Sequence, residues 1–291
     1  SVKDPILFYS NQTQQDLKLT LCRALEQTQK SIYLQIYSLT DNKIISLLNK
    51  KREEGVFSSI LYDKSASGNL KKKIKQAAPV RTKGLMHRKI LVLDEIQTFL
   101  GSANFTPQSL QMHDNLIMGI YHPQLAHFLN HSKEDYFGFQ IAEQRAELWM
   151  LPSKNALNRL IQLIDNAKKS LYIAMFTFTH PQLAKALIEA KKRGVDVRLA
   201  IDYHTSQGAS FKALSLLQME KIAIYPSSGQ QLLHHKWALI DDQTLIIGSA
   251  NWTKAAFEKN QDCFLILDSL QTNQKQFLKK LWKIIQLEAS I

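Results

Sequence analysis

Cysteine is scarce in this chain: Cys22 and Cys263 are the only two in 291 residues. They are too few for a disulfide framework and have no C-x-x-C spacing for zinc or redox work, so they read as small buried thiols. No run of about 18 consecutive apolar residues occurs, which excludes a spanning helix from the sequence as it stands. The first residues, SVKDPILFYS, have neither an initiator Met nor the apolar stretch of a secretory signal. Loss of an earlier targeting segment is the expectation there, and the compartment stays unread. H-E-x-x-H and Cys/His metal spacings are absent too, which makes His234-His235, or His87 with His113, poor candidates for metal ligands.

Positive charge is in excess, with a formal net charge of +12. Such a field draws in polyanions, whether nucleic acid or anionic lipid head groups. At this length the chain buries a substantial core without staples.

The stretch from Met86 to Asn104, MHRKILVLDEIQTFLGSAN, recurs as HHKWALIDDQTLIIGSAN from His234 to Asn251. Each copy holds His-x-Lys, four residues, Asp, six residues, then Gly-Ser-Ala-Asn. The repeat extends upstream: Ser31/Ser170, Tyr33/Tyr172, Gly55/Gly194 and Asp63/Asp202 are all 139 apart, whereas His87/His234 and Asn104/Asn251 are 147 apart. Eight residues have entered the second copy between Asp202 and His234, and the offset is otherwise constant across separate elements, so the chain is an internal duplication. The seam is expected near Ile141 to Ser153, giving one repeat at 1–146 with its motif at 87–104 and another at 147–291 with its motif at 234–251. Within each unit, helical spacing over residues 13–30, a strand from Ser31, a helix capped by Asp41 and ended by Gly55, and a strand closing at Asp63 make an α/β alternation. Two such units suggest a pseudo-twofold in one chain, a monomer with an internal pseudo-dimer, its two motifs facing across the axis.

In RKILVLD and KWALID the apolar, β-branched content predicts strands, so His87 and Lys89 project from one face, as do His234 and Lys236. Ser102, Asn104, Ser249 and Asn251 fall where helix-start signals follow a hairpin strand. The assembled centre holds two imidazoles, two ammonium groups, two carboxamides and two hydroxyls, with no carboxylate cluster of the kind that holds Mg²⁺. That set suits a phosphodiester. Lys89, Lys236, Asn104 and Asn251 can hold non-bridging oxygens, one histidine can attack phosphorus, and the other can protonate the leaving oxygen. Asp114 and Asp262, each about ten residues past its motif, are the expected partners that fix the histidine tautomers.

The paired H-x-K-x4-D-x6-G-S-x-N pattern resembles the phospholipase D superfamily, and both copies match at every signature position. The resemblance implies a duplicated α/β fold, two pseudo-twofold-related α/β/α lobes sharing one central active site. It also implies a metal-independent, cofactor-free phosphodiesterase working through a covalent phosphohistidine. By the same resemblance His87 is the nucleophile and His234 the general acid and base, Ser102 and Ser249 help bind phosphate, and Asp94 and Asp241 are structural. Pairing of Asp114 and Asp262 with the histidines stays open, including a crossed arrangement.

Superfamily members act on nucleic acids and on phospholipids, so the motif fixes reaction type rather than substrate. The compact chain and the basic run Lys71, Lys72, Lys73, Lys75, Arg81, Lys83 and Arg88 favour a nuclease. A phospholipase D or phosphatidyl transferase is the alternative, and a non-catalytic polyanion-binding module is a third. Phe105 and Trp252 read either as stacking groups or as core aromatics. The inserted region 204–231 is expected to form a specificity loop beside the cleft.

Overall fold

The computed structural model describes residues 3–289; Ser1 and Val2, where trimming is expected, lie outside them. The first half contains β1 (Ile6–Tyr9), α1 (Leu17–Gln27), β2 (Ser31–Ile36), α2 (Asn42–Glu53), β3 (Phe57–Asp63), α3 (Leu70–Lys73) and β4 (Ala77–Val80). It continues through β5 (Lys89–Leu93), β6 (Gln97–Gly101), α4 (Pro107–Gln111), β7 (Ile117–Tyr121) and α5 (Pro123–His131). The second half contains β8 (Tyr136–Ile141), β9 (Gln144–Leu151), α6 (Lys154–Asp165), β10 (Ser170–Met175), α7 (Pro181–Lys192), β11 (Asp196–Ile201), α8 (Tyr203–Gln207) and α9 (Phe211–Met219). After these come β12 (Ala223–Pro226), β13 (Lys236–Ile240), β14 (Thr244–Gly248), α10 (Lys254–Glu258), β15 (Asp262–Leu267) and α11 (Thr272–Ala289).

One sheet runs β1-β7-β6-β5-β2-β3-β4 and the other β12-β11-β10-β13-β14-β15-β9-β8. In each, two parallel pairings (β2-β3-β4 and β10-β11-β12) meet an antiparallel meander (β5-β6-β7 and β13-β14-β15). The halves therefore share one topology, as a duplication requires. The helix signals act as read: Asp41 caps α2 by accepting from Ile44 N at 3.1 Å, and Gly55 and Gly194 end α2 and α7 with φ of +88° and +93°. Only glycine takes that region without strain.

Two features were not legible in the residue pattern. Residues 6–9 form the edge strand β1, and the segment read as a seam forms β9, which pairs with β15. β9 runs across the boundary expected at 146/147, and the β8-β9 hairpin hydrogen-bonds to the second sheet through β15. In the insertion, α8 and α9 replace the short α3, and Leu214 and Leu217 of α9 pack into the second half's own core.

Three apolar cores hold the layers. One lies under α1 and α2 and another under α6, α7 and α9, on the outer faces of the two sheets. The third is shared: Ile90, Val92 and Leu100 from the first sheet meet Trp237, Leu239 and Leu245 from the second, with α5 and α11 contributing Leu125, Leu129, Leu278 and Trp282. Burial of this kind is worth roughly 25 cal/mol per Å² of apolar surface, and here it locks the halves to each other. Among the described residues no helix is long and apolar enough to cross a membrane.

Candidate active site

Each histidine sits two residues before a central strand. Lys89 opens β5 and Lys236 opens β13, and all four side chains are buried or nearly so. The residues just ahead of each motif cross to the other half. Met86 pairs with Gln261 and Leu233 with Asp114 in single parallel bridges. His87 N donates to Gln261 O at 2.8 Å, and His234 N donates to Asp114 O at 2.9 Å. The chain's backbone thus carries the end of each meander onto the histidine of the opposite half.

That crossing decides the partners. His87 Nδ1 lies 2.8 Å from Asp262 Oδ1, and Ser249 Oγ donates to the same oxygen at 2.7 Å. His234 Nδ1 lies 2.9 Å from Asn115 Oδ1, to which Ser102 Oγ donates at 2.8 Å. Asn115 Nδ2 donates to Ser109 O at 2.8 Å, which fixes Oδ1 as the acceptor and so makes each Nδ1 a donor. Every Nε2 then carries its lone pair toward the centre.

Asp114, expected beside a histidine, is one residue out of register. The 147 offset that relates the motifs also relates Asp262 to position 115, where this chain has Asn. Residue type points to Asp114, whereas the offset points to Asn115. Ser102 and Ser249, expected to help bind phosphate, are engaged with Asn115 and Asp262, the partners of the histidines. They are 1% and 0% exposed, and each also accepts a backbone hydrogen bond, from Leu116 N at 3.2 Å and Cys263 N at 3.1 Å. Glycine precedes each serine because a Cβ at Gly101 or Gly248 would collide with the carbonyl oxygen of Leu116 or Cys263 in the next strand. The close approach is what lets the hydroxyl reach its partner.

Lys89 Nζ donates to His87 O at 2.7 Å, and Lys236 Nζ lies 3.0 Å from His234 O and 3.1 Å from His234 Nε2. The ammonium groups also lie 5.5 and 5.4 Å from the rings of Tyr37 and Phe176, the same place in each half. Asn104 and Asn251 turn Oδ1 to a backbone N–H, of Ser38 and Thr177, both at 3.2 Å, which leaves the Nδ2 donors for a ligand.

The centre gathers two buried lysines and two histidines. Burial brings Lys89 down to about 8, and burial together with Lys89 pushes Lys236 well below its ordinary value. Burial, then Lys236 and Lys89, hold His234 well below the usual imidazole range. His87 is also lowered by burial and Lys89, but Asp262 opposes the shift. Two near-identical motifs therefore present histidines of different electrostatic character, because one partner is a carboxylate and the other an amide. An anion entering this site relieves the mutual repulsion of its cations.

Asp94 and Asp241 lie outside this centre, in the β5-β6 and β13-β14 turns with φ of +55° and +53°. Their carboxylates accept from Gln29, Lys30 and Ser31 N and from Lys168, Lys169 and Ser170 N, tying each turn to the strand beside it. Phe105 and Trp252 are core aromatics at 4% and 3% exposure. Of the basic run, Lys71, Lys72, Lys73, Lys75, Arg81 and Lys83 are exposed, and the loop they lead into is tied to the site by Leu85 N donating to Asn260 Oδ1 at 2.9 Å. Arg88 instead turns inward, donating to Leu151 O, Asp262 O and Gln35 Oε1. Of the inserted region, Ser227, Ser228, Gln230 and Gln231 line a cavity beside Asp114, and Thr205 bonds the backbone of Phe176, whose ring lies against His234.

A family model described as cardiolipin synthase, PLD-like domain matches residues 21–135 and again 160–285. The mitochondrial cardiolipin hydrolase of Xenopus laevis is 33% identical over 134 residues, 44% of this chain and 62% of that protein. A protein of Rickettsia bellii named phospholipase D is 26% identical over 132 residues, 45% of this chain and 65% of its own length. These matches span less than two thirds of either relative. The crystal structure of phosphatidylserine synthase from Haemophilus influenzae Rd KW20 superposes with a TM-score of 0.74 over 98% of this chain and 87% of that one, at 14% identity, a likeness of fold. With both repeats matched by the same family model, the chain belongs to the phospholipase D superfamily.

Proposed function

We propose that this chain is a metal-independent phosphodiesterase that cleaves nucleic acid through a phosphohistidine. The observation that carries the reading is the crossed pair: His87 on Asp262 and His234 on Asn115, with both Nε2 atoms turned to a shared cationic centre. In the first step His87 Nε2 attacks phosphorus, the phosphorus–oxygen bond to the leaving alcohol breaks, and His234 Nε2 gives that oxygen its proton. In the second, His234 takes a proton from water, the water oxygen bonds to phosphorus, and the phosphorus–nitrogen bond breaks.

The unequal partners support these roles. The imidazole that joins phosphorus keeps a positive charge throughout the covalent intermediate, and Asp262 compensates it on His87. The acid must release its proton readily, which suits His234 with its neutral amide partner. It receives that proton when the anionic substrate offsets Lys236 and Lys89. Lys89, Lys236 and the Nδ2 groups of Asn104 and Asn251 then hold the phosphoryl oxygens, with Lys236 leaving His234 Nε2 to do so.

For the substrate, the exposed cations ahead of His87 support a polyanion tracked along its backbone. The names of the curated relatives favour a second reading, a phospholipid headgroup. Incubation in EDTA with single- and double-stranded DNA, RNA, and phosphatidylglycerol or phosphatidylcholine vesicles separates the two, beside His87→Ala and His234→Ala. Nucleic acid cleavage lost in both variants is expected. Turnover of lipid alone would refute the substrate, and loss of all turnover in EDTA would refute the mechanism. Salt-sensitive DNA binding without cleavage would leave a polyanion-binding module.

A further inference from the structure

The middle residue of His-x-Lys differs between the two motifs: Arg88 in one and His235 in the other, 147 apart. Arg88 Nη2 donates to Leu151 O at 2.9 Å, and Arg88 Nε donates to Asp262 O at 3.2 Å. Leu151 closes β9, Asp262 opens β15, and the two are paired across the ladder. One planar guanidinium therefore holds both carbonyls of the last rung. Its Nη1 donates to Gln35 Oε1 at 3.2 Å on β2, where the second half has Ala174 in the equivalent place.

Asp262 is the residue whose side chain orients His87. It is 0% exposed; His87 Nδ1 and Ser249 Oγ both meet its Oδ1, and Oδ2 has no hydrogen-bond partner among the described residues. The carboxylate is pinned at one oxygen, so its aim at His87 depends on where the Asp262 backbone lies. Residues 87 and 88 fix that backbone in succession, His87 N on Gln261 O and then Arg88 Nε on Asp262 O. On the His234 side the first of these contacts is kept, His234 N on Asp114 O. The second has no counterpart among the described residues, because His235 turns to Gln12 Oε1 instead.

We infer that Arg88 is a positioning residue for the nucleophile: by spanning the last β9-β15 rung it holds the Asp262 carboxylate against His87, and so sets how fast His87 attacks phosphorus. This rests on the proposed reaction, with His87 as the nucleophile. A misplacement of about 1 Å at a reacting group costs on the order of 100-fold in rate, so loss of the clamp appears in the attack step. Lysine at position 88 would keep the charge without the rigid fork that fits two carbonyls.

The first turnover of bis(4-nitrophenyl) phosphate by the whole chain in EDTA tests this, because 4-nitrophenol leaves without an acid and its first release reports the attack. At saturation that rate is expected to fall about 10- to 100-fold in Arg88→Ala and in Arg88→Lys, with the half-saturating concentration changed less than about threefold. In an Asp262→Ala background, where no carboxylate remains to be aimed, Arg88→Ala is expected to cost no more than about twofold further. Arg88 lines a cavity of about 280 Å³ with Met150, Pro152 and Gln261, so millimolar guanidinium chloride can enter Arg88→Ala and is expected to restore its rate severalfold, but only while Asp262 is present. Should Arg88→Ala fail to fold, Arg88→Lys carries the same comparison with and without Asp262. Losses that add in the double variant, rescue that persists without Asp262, or an unchanged first-turnover rate in both Arg88 variants overturns the positioning role alone. A wild-type chain that releases no 4-nitrophenol overturns the proposed reaction, and the inference with it.

Discussion

Replacing Asn115 by Asp gives His234 the kind of partner that His87 has in Asp262, and the consequence for acid catalysis can be worked out from the contacts. His234 Nδ1 is 2.9 Å from the atom that would become a carboxylate oxygen. An opposite charge at that range favours the imidazolium by about 1–3 pH units, or roughly 1.4–4 kcal/mol. If His234 donates the proton to the leaving oxygen, the rate falls as pH rises through its pKa in the complex. Raising that pKa moves the alkaline limb of the pH–kcat profile upward by about 1–3 units. The substitution also removes the Nδ2 donor from Ser109 O, which costs about 1–3 kcal/mol of stability and lowers Tm by roughly 2–4 °C per kcal/mol. The assay is hydrolysis, in EDTA across pH and below the variant's Tm, of a phosphodiester whose leaving group is an unactivated alcohol and so needs the proton. An alkaline limb that stays in place, or moves down, refutes the assignment of His234 as the acid.

Asp262→Asn makes the converse change: His87 loses a charge-assisted hydrogen bond worth about 1.5–3 kcal/mol, so kcat falls roughly 10- to 150-fold, and a loss under about threefold would contradict the role given to that carboxylate. Gly248→Ala drives a Cβ into the Cys263 carbonyl; a shift of the urea midpoint corresponding to about 1–3 kcal/mol or more is expected, and an unchanged midpoint would show that the strands can part freely. Asp241→Ala strips the acceptor from three backbone N–H groups and leaves alanine at φ +53°. It should lower stability by about 2–4 kcal/mol while kcat per folded molecule is retained, and a loss of kcat without a loss of Tm would place Asp241 in the chemistry.

What the sequence conveyed about this molecule depended on the range of the interaction. The capping by Asp41, the glycine at 55 and the strands opening at Lys89 and Lys236 are local, and residue type with spacing reports them. The duplication was also readable, because a fixed offset survives in the letters. β9 was not, since QRAELWML has no clean alternation: both its faces are covered, one by the second half's core and the other by the core shared between halves. The crossed partnership was beyond local reading because it is set by single bridges between segments more than a hundred residues apart, Met86 with Gln261 and Asp114 with Leu233. Chemical similarity then pointed to Asp114, whereas register pointed to Asn115. The serines of the two motifs illustrate the same limit. A hydroxyl beside an asparagine looks like a phosphate ligand until the neighbouring strand supplies a buried acceptor for it.

The account stands on a covalent bond between phosphorus and a single histidine at a centre built from both halves. Rapid quench during turnover of a phosphodiester in EDTA, followed by peptide mass spectrometry under conditions that preserve phosphoramidates, tests it directly. A phosphoryl adduct on the peptide containing His87, absent in His87→Ala and accumulating when His234 is replaced and a good leaving group such as 4-nitrophenol removes the need for an acid, is the predicted result. An adduct on His234 instead, or turnover with no adduct on either histidine, would contradict the account.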